Sequence, residues 1–273
     1  MTDQILDKLR QTPLCYLLTG TVLIGFVVAN VKSLPLAHTL RLVPSVYRLL
    51  SARVGSKRTK RASADPPTTT TTTTATCYAA LPALFKHYTL VSRAIALDLD
   101  INMHKSNSTF FTDADISRAK LITSLLSQAL ASLGSPAFIL AGVQCKFQRE
   151  VRPYQRYAVS SRILAWNAKA MYVVTYFIKP GAKLETELDL RGGPGALASD
   201  NVVRKTLLAT MVSKYVFKAG RTTLAPEHVF REAGLLIEAD GKDGIAVADG
   251  LIGSEDVAAS VQAGLAYLGQ CME

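Results

Sequence analysis

The chain has 273 residues, 49% of them apolar and 7% aromatic, enough for one good core with extensions or for two small domains. Its net charge is +10, yet eight cations and no acid fall between Lys32 and Arg61, so the basicity belongs to one stretch and a nucleic-acid-binding fold is excluded. Four scattered cysteines without C-x-x-C spacing exclude a disulfide scaffold, and four histidines that never pair at helical spacing leave no zinc site. No metal and no cofactor is therefore expected.

Residues 13–31, PLCYLLTGTVLIGFVVANV, carry no charge and approach the roughly 20 apolar residues that span a hydrocarbon core. The expectation is a transmembrane helix behind a short tail, residues 1–12. Positive charge accumulates after this segment, which predicts a single-pass membrane protein with its main domain in the cytosol and the endoplasmic reticulum as a candidate organelle. Residues 32–76 read as a basic segment lying on anionic headgroups, with Pro44 kinking or splitting any helix there. A Pro/Thr-rich tether without apolar periodicity follows, spanning residues 51–76.

A globular domain is expected over residues 77–236, followed by a C-terminal tail over 237–273. YTLVSRAIALDLD, residues 88–100, is β-rich. Thr112, with Asp115 three residues on, has the form of a helix cap, and Ile122, Leu125, Leu126, Ala129 and Leu133 give the helix that follows an apolar stripe ending at Gly134. Three strand-like runs, residues 137–151, 156–166 and 170–179, are joined by short polar turns, so they should pair antiparallel. A looser glycine-rich insert leads to one more strand near residues 205–220, and a weak helix is expected over 255–270. Strand, long helix, then antiparallel strands is an α+β plan in which the single helix needs a curved sheet to lie against. Exposed sheet edges favour a homodimer.

One stretch gathers more polar chemistry than a turn requires: DLDINMHKSNSTFF, residues 98–111, between the first strand and the long helix. Asp98-Leu99-Asp100, then His104 and Asn107, then Phe110 and Phe111, resemble the D-x-D-x-x-x-H-x-x-N signature of the 4-hydroxybenzoyl-CoA thioesterase-like proteins, which are hotdog-fold thioesterases. The likeness extends over residues 85–236 and is nearest to the fungal branch found with secondary-metabolite pathways and to a membrane-anchored animal branch. It implies one long central helix wrapped by a curved antiparallel sheet, a dimer, and hydrolysis of an acyl thioester, either acyl-CoA or an acyl or polyketide chain on a phosphopantetheine carrier.

The resemblance assigns the catalytic carboxylate to Asp100, with Asp98, Asn102, His104 and Asn107 supporting its loop. The physical case is separate. A carboxylate just before a helix start faces unpaired N–H groups and the positive end of the helix dipole, where it can activate water or attack directly while the amides hold the oxyanion. Lys105 is a candidate for a substrate phosphate, Ser106 for local hydrogen bonding at the substrate, and Phe110 and Phe111 for the pocket wall. Many relatives read Gly-His-Val-Asn-Asn where this chain has Met103-His104-Lys105-Ser106-Asn107, and losing the glycine changes the dihedrals open to the loop. Two rivals are a catalytically inactive acyl-binding or scaffold protein of the same fold at a membrane, and a hotdog hydratase. The latter is disfavoured because His104 lies in the same loop as Asp100 rather than across a pocket.

Overall fold

In the computed structural model, residues 14–59, 83–182, 184, 186–238, 245–247 and 254–272 are described. The chain runs α1 (Leu14–Ala29), α2 (Ala37–Thr59), β1 (Tyr88–Arg93), α3 (Asn107–Ser132), β2 (Ala137–Phe147), β3 (Arg156–Trp166), β4 (Met171–Ile178), α4 (Thr186–Ser199), α5 (Asn201–Thr206), β5 (Leu207–Ala219), β6 (Thr222–Leu224), α6 (Pro226–Glu232), β7 (Leu236–Glu238), β8 (Ile245–Val247) and α7 (Ser254–Met272). The main sheet is antiparallel in the order β1-β3-β4-β5-β2, with β6 beside β5.

The expected α+β plan is present. Helix α3 lies against β1, β3 and β4, and its Leu121, Ile122, Leu126 and Leu130 pack with Ile163, Val173, Tyr215 and Phe217 of the sheet. Each such fully buried apolar side chain contributes about 1.5–3 kcal/mol relative to exposure. Helix α3 starts earlier than expected, at Asn107 behind Ser106, so Thr112 and Asp113 are interior residues and not a cap. The capping pattern at Thr112 is a local signal that the packing of Phe110 beneath the turn overrides.

The sheet's other face is also covered. The insert read as a loose loop forms α4 and α5, with a break at Gly193, whose φ of 60° is open to glycine at no steric cost. The segment expected as a tail ends in α7, which packs with α4 and against β3. Contact there is close: a Cβ on Gly264 would lie 2.8 Å from the Ala165 Cβ. Beneath α4, the buried Asp189 accepts from Arg162 and Tyr176, and His87 Nε2 lies 3.3 Å away. Burial pushes the Asp189 carboxyl up, but the Arg162 charge and the His87 contact outweigh this and hold it well below the carboxylate range.

The N-terminal part departs most from expectation. No helix among the described residues is long and apolar enough to cross a membrane. Within the described residues helix α1 runs for 16 residues, about 24 Å at the α-helical rise, against a hydrocarbon core of about 30 Å. It ends because Asn30 turns inward: the side chain is 1% exposed, donates to Phe26 O (2.8 Å) and accepts the Leu97 N–H (3.0 Å). The transmembrane span expected at residues 13–31, and the single-pass localisation inferred from it, are corrected accordingly.

Helix α2 runs unbroken through Pro44 and packs along α3, so residues 51–59 are helix rather than tether. Its inward side is Ala37, Ser45 and Leu49, while Leu40, Val43, Tyr47 and Leu50 face outward. The remainder of the expected tether, residues 60–76, lies outside the described residues.

Candidate active site

The junction after β1 is a closed turn on a buried base. A single 3-10 turn, Ala96–Asp98, leads out of β1. The loop is then closed by the Leu99–Lys105 bridge, by the Ser106 N–H on Asp98 O (2.7 Å) and by the Asp100 N–H on His104 O (2.8 Å). Met103 turns the chain with a φ of 59°. That left-handed conformation crowds a side chain that glycine lacks, so the turn is made at a steric cost.

At the top of the turn Asp100 is half-buried. Its Oδ1 accepts the N–H groups of Asn102 (2.9 Å) and His104 (3.3 Å), while Oδ2 has no partner among the described residues. His104 Nε2 lies 3.2 Å from Glu150 Oε2, which steadies the ring from the segment after β2. Helix α3 begins without a side-chain cap, because Ser106 Oγ shares a proton with Ser108 Oγ (3.0 Å) instead of accepting a first-turn amide. The Asn107 and Ser108 N–H groups consequently have no acceptor among the described residues.

Asp100, His104 and Asn107 line one cavity of about 300 Å³ together with Phe110, Phe147 and Arg149. Phe110 sets its floor, stacked edge-on against Phe147 and Phe177 at 5.3 and 4.8 Å. Phe111 is half-buried and packs into the same apolar cluster. A second cleft, about 760 Å³, shares Arg149 and Glu150 with the first and adds Arg152 and Lys179. Arg149 Nε donates to Arg204 O (3.3 Å), and neither Arg149 nor Lys179 has a carboxylate partner among the described residues.

The underside of the turn is a buried cluster of charge. Asp98 is 2% exposed and faces away from solvent, accepting from Lys32 Nζ (2.8 Å) and Ser33 Oγ (2.6 Å). Asp113, from α3, accepts from Lys32 Nζ (2.9 Å) and the Tyr157 hydroxyl, with Lys105 Nζ at 3.1 Å and Arg41 Nη1 at 3.5 Å. Burial pushes the Asp113 carboxyl up, but the Lys105 and Lys32 charges outweigh it and hold the group below the usual carboxylate range. Burial, assisted by Asp113, raises the Tyr157 phenol well above its ordinary value.

Lys105 belongs to this cluster. Its backbone borders the cavity, but its side chain is wholly buried, donates to Thr109 Oγ1 (2.9 Å) and faces neither water nor an open phosphate site. Burial lowers its pKa despite the neighbouring Asp113. Asn102 and Asn107 are exposed and their side chains make no hydrogen bond among the described residues.

The structure thus brings Asp100, His104, Asn107 and Phe110 to one cavity and directs Asp98 and Lys105 beneath it. Sequence reasoning missed Lys32, Asp113, Tyr157, Arg149 and Glu150. For Asp113 a signal existed: it stands three and four residues before Ile116 and Ser117, on the helix face that proves buried. No local pattern marked Lys32, which reaches the turn from 66 residues away.

Residues 96–230 match the thioesterase-like superfamily. The chain is similar to the probable thioesterase atnL of Emericella nidulans, 35% identical with 56% of each chain covered. It is 38% identical to the thioesterase poxG of Penicillium oxalicum, over 56% of this chain and 55% of that one. The thioesterase lcsJ of Purpureocillium lilacinum is 30% identical over 78% of this chain and 70% of its own length. Against the first two, the chain spans little more than half of the relative's length.

Proposed function

The chain belongs to the thioesterase-like superfamily, with that family's hotdog plan of a long helix held by a curled antiparallel sheet, and we propose that it hydrolyses an acyl thioester over the turn that carries Asp100. In this mechanism the carboxylate, oriented through Oδ1, uses Oδ2 to take a proton from water as the water oxygen bonds to the thioester carbon. The carbonyl oxygen becomes an oxyanion beside the Asn107 and Ser108 amides. Collapse breaks the C–S bond, and the departing sulfur leaves as a thiolate or takes the proton back from Asp100. In the alternative route the same carboxylate oxygen attacks the thioester carbon itself, the C–S bond breaks to release the thiolate, and water then opens the resulting acyl-enzyme anhydride. One observation carries the proposal: a half-buried carboxylate with an unpartnered oxygen and Asn107, whose helix-start amide has no acceptor among the described residues, line a single cavity.

The leaving group is proposed to be phosphate-bearing, as in CoA or a phosphopantetheine arm. Support comes from Arg149, Arg152 and Lys179 around the adjoining cleft, with Lys105 replaced in the role once expected of it. Guanidinium groups suit phosphate because their paired N–H donors match its oxygens. A homodimer is also proposed. Among the described residues β2 pairs with β5 on one side alone, and its exposed Ile139, Leu140 and Phe147 leave an edge that a second copy can cover.

The test is thiol release from acyl-CoA substrates of graded chain length by the full chain and by Asp100→Asn. The variant is expected to lose about 10²–10⁴-fold in kcat/KM, the range of a positioned general base. Equal release by both proteins removes Asp100 from the mechanism. Saturable acyl-CoA binding without release by either would favour the acyl-binding alternative.

A further inference from the structure

We propose that Lys32, which lies outside the family-matched residues, is a positioning residue for this reaction: with Asn30 and Ser33 it clamps the base of the Asp98–Ser106 turn and so aims Asp100 at its cavity. The inference rests on the hydrolase reading for its catalytic consequence, but its structural content stands separately.

Lys32 lies in the short connector between α1 and α2. Its three ammonium N–H donors are shared among four acceptors within hydrogen-bond distance, Arg93 O (3.1 Å), Asp98 Oδ2 (2.8 Å), Asp113 Oδ2 (2.9 Å) and Tyr157 OH (3.0 Å). These acceptors come from the end of β1, the turn, the first half of α3 and β3. One side chain therefore ties the turn to β1, α3 and β3 at once. Asn30 adds a bond to the Leu97 amide, and Ser33 takes the second oxygen of Asp98.

Charge explains why the clamp cannot be replaced by water. Asp98 and Asp113 are both buried, and the other ammonium that reaches both of them is that of Lys105. Without Lys32, Asp113 still has Lys105 at 3.1 Å and Arg41 at 3.5 Å, whereas Asp98 keeps Lys105 at 3.6 Å as its cation among the described residues, and the nearest relief is to swing Asp98 out toward solvent. Asp98 stands two residues before Asp100, and its carbonyl closes the turn through Ser106. Moving it opens the loop on which Asp100 is mounted. Misplacement on the order of 1 Å at a reacting group costs about 10²-fold in rate.

The experiment uses the full chain with Lys32→Met, Asp98→Asn, the double variant, and Arg162→Met as a control that breaks a buried ion pair on the far face of the sheet. Octanoyl-CoA hydrolysis and amide hydrogen exchange of residues 99–105 are measured together. Lys32→Met is expected to lower kcat about 10–10²-fold, with KM changed less than about threefold, and to raise exchange in the turn about tenfold. The double variant should be no worse than either single one, because both act through the same contact. Arg162→Met should lower the melting temperature but leave kcat and turn exchange as they are. If Lys32→Met exchanges its turn like the unaltered chain, or loses melting temperature alone as Arg162→Met does, Lys32 is only structural and the proposal fails. Should the unaltered chain release no thiol, the hydrolase reading fails while the exchange arm still decides the clamp. If Lys32→Met does not fold, Ser33→Ala decides it: exchange raised severalfold supports the clamp, and unchanged exchange overturns it.

Discussion

Asp98 and Asp100 are two residues apart, yet they occupy opposite physical worlds. Below the turn, Asp98 and its neighbour Asp113 are sealed from water and share Lys32 and Lys105 between them. Above it, Asp100 is half-exposed, takes two amides on one oxygen and keeps the other open. The lower carboxylates are saturated with partners and serve shape. The upper one is oriented but unsaturated, which is the condition a general base needs. Chemical type does not separate these roles; the number of partners does.

The contrast can be broken most severely from below. Asp113→Asn leaves buried lysines short of a counter-charge and should destabilise the fold by about 3–5 kcal/mol, read from urea unfolding. Acid attacks this cluster and the buried Asp189 on the sheet's other face. Asp113 and Asp189 have depressed values in the folded state, so their stabilisation is full above the ordinary carboxylate value and is lost as pH falls through the folded one. Melting temperature should therefore hold from pH 7 down to about pH 4 and drop below it. A melting temperature already falling steeply between pH 7 and pH 5 would contradict that assignment.

Smaller changes sharpen the upper side. Met103→Gly relieves the left-handed φ but adds freedom to the unfolded chain, for a net gain of about 0.5–1 kcal/mol if the turn geometry is as described. A loss of stability would mean that the Met103 side chain contributes packing that its exposure does not reveal. Least of all, Asp100→Asn should alter unfolding by no more than about 0.5 kcal/mol, since the amide oxygen still accepts the turn's N–H groups. Its consequence belongs to the rate, and a large stability loss would place Asp100 with the structural carboxylates.

Much of the domain was legible in local pattern. Strand β3 falls where alternation and turns put it, residues 156–166, and β4 differs by one residue at each end. The stretch from Asp98 to Phe111 stood out as a candidate site because its polar density exceeds what a turn needs, and the structure gathers Asp100, His104, Asn107 and Phe110 at one cavity. The insert over α4 was not, since Gly192, Gly193 and Pro194 are loop residues by composition, and only packing against β3 and α7 makes helix the better state. Residues 13–31 were misread for a related reason. Hydropathy counts apolar residues but does not see that Asn30 is drawn inward by the Leu97 amide.

By itself the sequence determined the period of the long helix and of the strands that follow it, the order strand–helix–strands, and the presence of a carboxylate ahead of a helix start, because these are properties of neighbours along the chain. Tertiary structure decided which carboxylate is sealed and which is open, that Lys105 turns inward, and that Lys32 arrives from 66 residues away to hold the turn. Those outcomes depend on desolvation and charge pairing between distant segments, and burial is set only when the whole chain has closed around them.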